Sequence, residues 1–455
     1  MTKTKHANKI ANTHRPYSGY FLTDVPPPDD ELTSVGPGTP MGEYMRRFWH
    51  PLCLSEELKD LPKATKILGQ ELVMFRDKSN RVGVLHKHCS HRGSSLEYGM
   101  VSERGLRCCY HGWLYDVDGT ILETPGEPPD STLKDRFFHG AYPTYEYKGI
   151  VFAYFGPPDD MPAFPIRDVW VEPDVNMVPF SLEVGNNWLQ TQENNLDPSH
   201  SSFLHTRVTE HFAGSFTEVP RIDYQVVGDG TGVIYSCKRR LGDYMWVRQL
   251  HTFLPNESHV GTVYHDGTSQ LYFQRALWSR WITPRDDTSA IYLGWRHFGN
   301  EYPGGREEEC GLGKIDMPGQ VKVKDYEESQ RFPGDWEAQA SQRSIAVHSL
   351  EHMGTTDGGV ALIRKALRDA LHGNAPKAWP NPNPNGVVEA KPVNLYTEDT
   401  VLKIPPTGEY KKEWALLGEV GDRVSDIIFD ADRFSGRERI DHVQKELKEL
   451  EASYN

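Results

Sequence analysis

The sequence predicts an α+β protein in two unequal parts, a small all-β domain followed by a larger unit that combines strands with helices. Three observations predict it. Short apolar runs separated by turn residues begin at Phe48 and continue to Gly156-Pro157-Pro158. Residues 175–300 alternate between apolar and polar in the manner of a sheet. Helical spacing then takes over, across Asp335 to His352, Gly359 to Leu371 and Arg439 to Leu450.

Residues 1–45 are polar and broken by Pro26-Pro27-Pro28 and Gly36-Pro37-Gly38, an irregular lead-in with one short helix near Met41 to Phe48. Residues 46–158 form the first domain. Ile67-Leu68, Glu71 to Phe75 and Val82 to Leu85 have strand length and composition, with Gly69 and Asp77 to Asn80 as turns. Residues 159–455 form the second. Its strand-like runs are Gly232 to Cys237, Met245 to Leu254, Ser269 to Gln274 and Ser289 to Trp295. Residues 372–408 are rich in Pro, Asn and Gly and read as a surface excursion. The final helix carries a stripe of Ile440, Val443, Leu447 and Leu450, which docks on its own domain or on a sister subunit.

The bulk numbers narrow the function. In 455 residues, 37% are hydrophobic and 25% charged, as in a soluble globular chain, and the net charge of −14 disfavours nucleic acid and anionic membranes. No apolar run is long enough to span a bilayer, and the charged N-terminus lacks the apolar core of a secretory signal, so the expected location is the cytoplasm. Six cysteines, at 53, 89, 108, 109, 237 and 310, are too few for a disulfide framework, and their clustering suggests metal.

Cys89-Ser90-His91, sixteen residues, then Cys108-Cys109-Tyr110-His111-Gly112-Trp113 places one thiolate and one imidazole in each of two loops. A structural zinc site also takes Cys2His2, but zinc motifs pair like with like. The mixed order suits a Rieske [2Fe–2S] cluster, in which two cysteines hold one iron and two histidines the other. Cys89, His91, Cys108 and His111 are the expected ligands; a register through Cys109 is the alternative.

A second constellation lies in Glu193-Asn194-Asn195-Leu196-Asp197-Pro198-Ser199-His200-Ser201-Ser202-Phe203-Leu204-His205. Two imidazoles and a carboxylate with open positions opposite are the donor set of a non-haem Fe(II) oxygenase. His200 and His205 would stand roughly 140° apart on a regular helix. Converging on one metal therefore requires a helix end or a π-bulge between them. Asp197 and several acids far downstream could complete the set.

The two motifs together resemble the α-subunit of Rieske non-haem iron oxygenases, in particular the lone-α, phthalate-dioxygenase-like branch, over roughly residues 40–370. Gly149-Ile150-Val151-Phe152-Ala153-Tyr154-Phe155-Gly156-Pro157 and Glu351-His352-Met353-Gly354-Thr355-Thr356-Asp357 are similar strings. The resemblance implies a curved antiparallel sheet covered by helices, with iron between them. It implies that the third iron ligand lies sixteen residues before Glu351, at Asp335, where a helix N-terminus would hold the carboxylate. Ala340 and His348 depart from the pattern, where Glu and Arg are usual, which bears on substrate preference. The resemblance gives Asp197 another role, joining His200 to the Rieske His111 of a neighbouring subunit in a homotrimer or hexamer.

The implied activity is that of a terminal oxygenase, hydroxylating or O-demethylating a small aromatic substrate with O2. Aromatic acids are common substrates of the branch, and Arg207 and Arg248 are candidates to pair with a carboxylate. Electrons would come from a separate NAD(P)H-dependent reductase, possibly with a ferredoxin domain, because the chain lacks a dinucleotide fingerprint. A bare Rieske electron carrier is the rival reading, and it leaves the residues after Pro158 without a task.

Overall fold

A computed structural model describes residues 16–208, 212–263, 265–299, 307, 310–312, 314, 324–374, 380–383 and 386–454. The lead-in helix covers Pro40–Met45, and the Thr39 hydroxyl caps it by accepting the Gly42 N–H. Three antiparallel sheets follow. Lys63–Ile67, Gln70–Arg76, Val82–His86 and Ala141–Tyr142 form one, and its first hairpin turns through Leu68 and Gly69, both at positive φ. Four very short strands between Met100 and Glu123 form the second. In the third, Trp49–Leu54 pairs with Ile150–Tyr154, which pairs with Thr144–Tyr147.

The second part is built on a nine-stranded antiparallel sheet. Its main path runs Asn176–Val184, Ser289–Phe298, Trp278–Asp286, Glu257–Val260, Tyr244–Phe253, Gly232–Leu241, Arg221–Val227, with Leu271–Arg275 and Glu398–Lys403 branching from Tyr244–Phe253. The central strands are buried along nearly their whole length, because both sheet faces are covered. The helices Gly358–Asp369, Tyr410–Asp430 and Gly436–Ala452 pack against the strands. Ile440, Val443, Leu447 and Leu450 are buried with Met245, Phe273 and Leu402, so the terminal stripe docks on its own sheet.

Two expectations need correction. The helix from Asp335 stops at Ala340 instead of running to His352. Gln190 donates its amide to the carbonyls of Gln339 and Arg343, and Arg343 takes a positive φ, so tertiary bonding turns the chain out of helix there. Within 372–408, the segment Glu398–Lys403 is a buried strand; its alternation was hidden by the acids Glu398 and Asp399, each paired inside the protein.

Packing ignores the boundary at Pro158. Phe152 lies edge-on to Trp281, with centroids 5.4 Å apart, and within 5.9 Å of Trp295. The Leu68 and Gly69 N–H groups bond the carbonyls of Pro284 and Arg285 at 2.9 and 2.8 Å. Most of this seam belongs to one continuous apolar core, while the Cys89 and Cys108 loops have their own small core of Val73, Phe75, Leu85, Leu96, Leu106, Trp113, Tyr115 and Ile121.

Candidate metal centres

The two Cys/His loops repeat one backbone pattern. In the first, the Cys89 N–H bonds the Ser94 carbonyl at 2.9 Å and the Gly93 N–H bonds the Cys89 carbonyl at 2.8 Å. In the second, the Cys108 N–H bonds the Trp113 carbonyl at 2.8 Å and the Gly112 N–H bonds the Cys108 carbonyl at 3.1 Å. Gly93 and Gly112 sit at φ +79° and +75°, so each loop closes through a residue free of a Cβ. The result is a pair of matched brackets. Cys89 and Cys108 are buried and Cys109 is exposed, which favours the register through Cys108. Burial, with Cys89 beside it, raises the Cys108 thiol. The Tyr115 hydroxyl lies 2.9 Å from Cys89 Sγ, a contact that tunes a cluster's potential. His91 and His111 face each other with centroids 4.5 Å apart, and His91 stacks on Trp113 at 4.8 Å and 6°. Two buried sulfurs and two exterior imidazoles fit a Rieske cluster better than a closed zinc site.

The second centre is built by distant segments. The helix Trp188–Asn194 starts at Asn187, whose side chain accepts the Leu189 N–H. Gln190 and Thr191 fasten it to the Asp335 segment: besides its two carbonyl contacts, Gln190 accepts the Ala346 N–H at 2.8 Å, and Thr191 donates to Gln339 at 2.8 Å. Trp336 lies across Gly185, where a Cβ would come within 2.8 Å of the indole, so the Asp335 helix seats directly on the end of strand Asn176–Val184. After Asn194 the chain makes a tight 3-10 turn at His200–Ser202 and then a π-helical turn at Leu204–Val208, closed by the Val208 N–H on the Phe203 carbonyl at 3.0 Å. This is the irregularity that the five-residue spacing demands.

His200, His205 and Asp335 come together, with one donor atom from each within 4.8 Å of the others. Asp335 Oδ2 lies 3.3 Å from His205 Nε2, and Oδ1 lies 3.8 Å from His200 Nε2. Burial works to raise the Asp335 carboxyl, but the His205 and His200 rings overcome it and hold it below the usual range. Burial likewise disfavours a charged His200, against which Asp197 and Asp335 raise it. His200 Nδ1 faces the Asp197 carbonyl and lies 3.6 Å from its carboxylate, leaving Nε2 for a metal. Gly334 is the N-cap of that helix, and Glu337 takes its N–H at 2.8 Å. Asp335 occupies the first helical turn, with Asn194 donating to its Oδ1 at 3.4 Å. The donor set is that of a 2-His-1-carboxylate Fe(II) site.

Asp197 and His200 open into a cleft of about 480 Å³ that Glu193, Glu351 and Arg364 also line. Arg364 clamps Glu193 at 2.6 and 2.8 Å and Glu351 at 2.5 and 3.0 Å. Burial pushes Glu193 up to about 6 in spite of that partner. The candidate substrate arginines do not join the site. Arg248 is 4% exposed and committed to Asp399 at 2.8 and 3.1 Å. Arg207 is exposed, lies over Phe203 and donates to the Thr217 carbonyl at 3.2 Å. Each satisfies a local acceptor. Sequence reading missed Asn194, although it lies inside the motif, and the Glu193–Arg364–Glu351 clamp. It also missed Phe212, which stacks on His205 at 4.2 Å and 19° with no motif to announce it.

The chain is similar to several known proteins. Residues 48–146 match the Rieske [2Fe-2S] domain family. The chain is 44% identical to the tert-butanol monooxygenase / tert-amyl alcohol desaturase oxygenase subunit of Aquincola tertiaricarbonis, over 96% of this chain and 97% of that one. It is 35% identical to the phenoxybenzoate dioxygenase subunit alpha of Ectopseudomonas oleovorans, over 81% and 92%. It is 41% identical to the phthalate 4,5-dioxygenase oxygenase subunit of Pseudomonas putida, over 75% and 84%. Among solved structures, NdmA of Pseudomonas putida CBB5 with caffeine shares the fold, with a TM-score of 0.56 at 20% identity, over 76% of this chain and 93% of that one.

Proposed function

The chain belongs to the Rieske non-haem iron oxygenases as an oxygenase subunit, and from that premise we propose which residues perform its reaction. Cys89, His91, Cys108 and His111 hold the [2Fe–2S] cluster, and His200, His205 and Asp335 hold Fe(II). The observation that carries this reading is the convergence of two imidazoles and one buried carboxylate from segments 130 or more residues apart.

Fe(II) supplies a place where O2 is activated beside the substrate. The net reaction for hydroxylation takes one C–H bond, O2, two electrons and two protons to an alcohol and water. The Asp197 carbonyl holds His200 Nδ1 and so fixes which nitrogen faces inward. Asp335, kept ionised by the two rings, supplies the anionic donor. Asp197 lines the open cleft, where its carboxylate can also meet His111 of a second copy. Such a contact joins donor face to acceptor face, and a closed assembly built on it is a ring; the family resemblance makes that ring a homotrimer, single or paired. Electrons arrive from a separate reductase.

The substrate we propose is a small aromatic molecule. Among its polar residues the cleft beside His200 is lined by Leu204, Ala346, Val347, Leu350, Met353 and Val360, which supports a guest with apolar surface. With Arg207 and Arg248 engaged elsewhere, neither supports a carboxylate on it. A compact tertiary alcohol is the second reading, favoured by the activity of the relative that is 44% identical. Reconstitution with a reductase under labelled O2, offering a phthalate-type acid, an uncharged methoxyarene and a tertiary alcohol, separates the readings by which product carries label. Metal analysis of the same protein is expected to give about three irons and about two acid-labile sulfides per chain. Two irons would leave only the electron carrier.

A further inference from the structure

Each of the three candidate iron ligands needs something to fix its direction, and the structure supplies it differently for each. His200 has the Asp197 carbonyl on Nδ1, and Asp335 has Asn194 and a place in the first turn of its helix. His205 is the exception. It is 5% exposed, and its Nδ1 is buried without a hydrogen-bond partner among the described residues. A metal-binding imidazole ordinarily donates its second N–H to a carboxylate, carbonyl or water, and that bond sets the ring plane.

Phe212 holds the imidazole in another way, against its flat face. Its ring lies nearly parallel to the imidazole, 4.2 Å away at 19°, and its backbone N–H donates to the His205 carbonyl at 3.0 Å. One residue thus holds the ligand by main chain and by side chain. The phenyl ring is itself fixed. Phe216 packs on it with centroids 5.1 Å apart, and Trp246 meets Phe216 edge-on at 4.8 Å. Trp246 is tied at the far end by its indole N–H to Asp399 Oδ1 at 2.9 Å, and Asp399 is locked on Arg248. The row is fully buried at Phe216 and Trp246, where close packing leaves little freedom to tilt.

We propose that Phe212 is a positioning residue for the iron site, setting the plane of His205 by stacking on its face. The proposal rests on the assignment of His205 as an iron ligand. That assignment has its own test, because His205→Ala removes iron whatever Phe212 does.

The test is Phe212→Leu, which keeps an apolar side chain and the backbone bond but removes the flat face, with Phe212→Tyr as the conservative variant. Fe(II) is titrated into metal-depleted protein whose Rieske bands report an intact fold, and the nitric oxide adduct of the ferrous site is read by electron paramagnetic resonance. The Leu protein should bind Fe(II) about 10-fold more weakly, the lower end of the range for loss of an orienting partner. Its nitrosyl signal should broaden or change in rhombicity, and Tyr should restore both to near the parent values. Wild-type affinity with an unchanged signal in the Leu protein would overturn the proposal and leave Phe212 as packing. If Leu costs the fold, seen as loss of the cluster bands, Phe212→Met takes its place with the same outcomes on either side.

Discussion

The two metal centres proposed for this chain are assembled in opposite ways. The cluster site is local: two loops about twenty residues apart share one hydrogen-bond pattern, and each carries its own cysteine, histidine and glycine. The iron site is dispersed. Its histidines need a 3-10 turn followed by a π-turn, and its carboxylate arrives from a helix seated on a different strand. A site made of repeated local geometry tolerates changes elsewhere in the protein. A dispersed one depends on every contact that brings its segments together, here Gln190, Thr191, Trp336 and Asn194.

The largest effect should come from breaking one centre at a time. His200→Ala or His205→Ala is expected to abolish product formation and mononuclear iron while the Rieske spectrum stays at wild-type intensity; Cys108→Ser should do the reverse. Metal analysis and visible spectroscopy on both sets show whether the centres are independent, and loss of the cluster bands in a histidine variant would contradict it. Asp335→Ala comes next. Iron affinity should fall by more than the roughly 10–100-fold that an outer partner costs. The helix should survive, because the Gly334–Glu337 cap remains, so little change in Tm is expected. Normal iron binding in this variant would move the third ligand to another acid.

Asp197→Asn sharpens the comparison, since Asp197 is a ligand in neither set. Both metals should stay bound, while a pre-reduced cluster no longer passes its electron to the iron in single turnover. Wild-type transfer rates would remove Asp197 from the path. The smallest effect belongs to the bracket glycines. Gly93→Ala should cost about 1–2 kcal/mol through its positive φ alone, since nothing lies within 4 Å of the added Cβ. Gly112→Ala should cost more, with Pro125 Cγ 2.9 Å from the new methyl. Thermal bleaching of the cluster bands measures both, and equal losses would show that Pro125 yields freely.

This asymmetry also explains what could be read from sequence. Cys89-x-His91 and Cys108-x-x-His111 show themselves because local geometry fixes local spacing. The demand for a π-turn followed from two histidines five apart. Asp335 was reached only through the family resemblance, since no local rule links residue 335 to residue 205. Arg248 is a related case: an arginine on an apolar strand looks the same in sequence whether it awaits a substrate or already holds Asp399 from a strand 151 residues later. The early end of the Asp335 helix was hidden in the same way, because the amide of Gln190 that turns the chain lies far upstream.

The seam between the two parts has a consequence for how the chain must fold. Trp49–Leu54 pairs with Ile150–Tyr154 across roughly a hundred residues, so the cluster loops sit inside a large excursion whose ends must meet. The closing strand is capped by Trp281 and Trp295, which are synthesised more than a hundred residues later still. A nascent chain that has just emitted Pro158 therefore still lacks Trp281 and Trp295, and the face of the electron-donor module that Phe152 presents is not yet covered. The small core under the cluster loops comes from the first part alone, whereas this face is closed by the oxygenase sheet, so the catalytic half completes the half that precedes it.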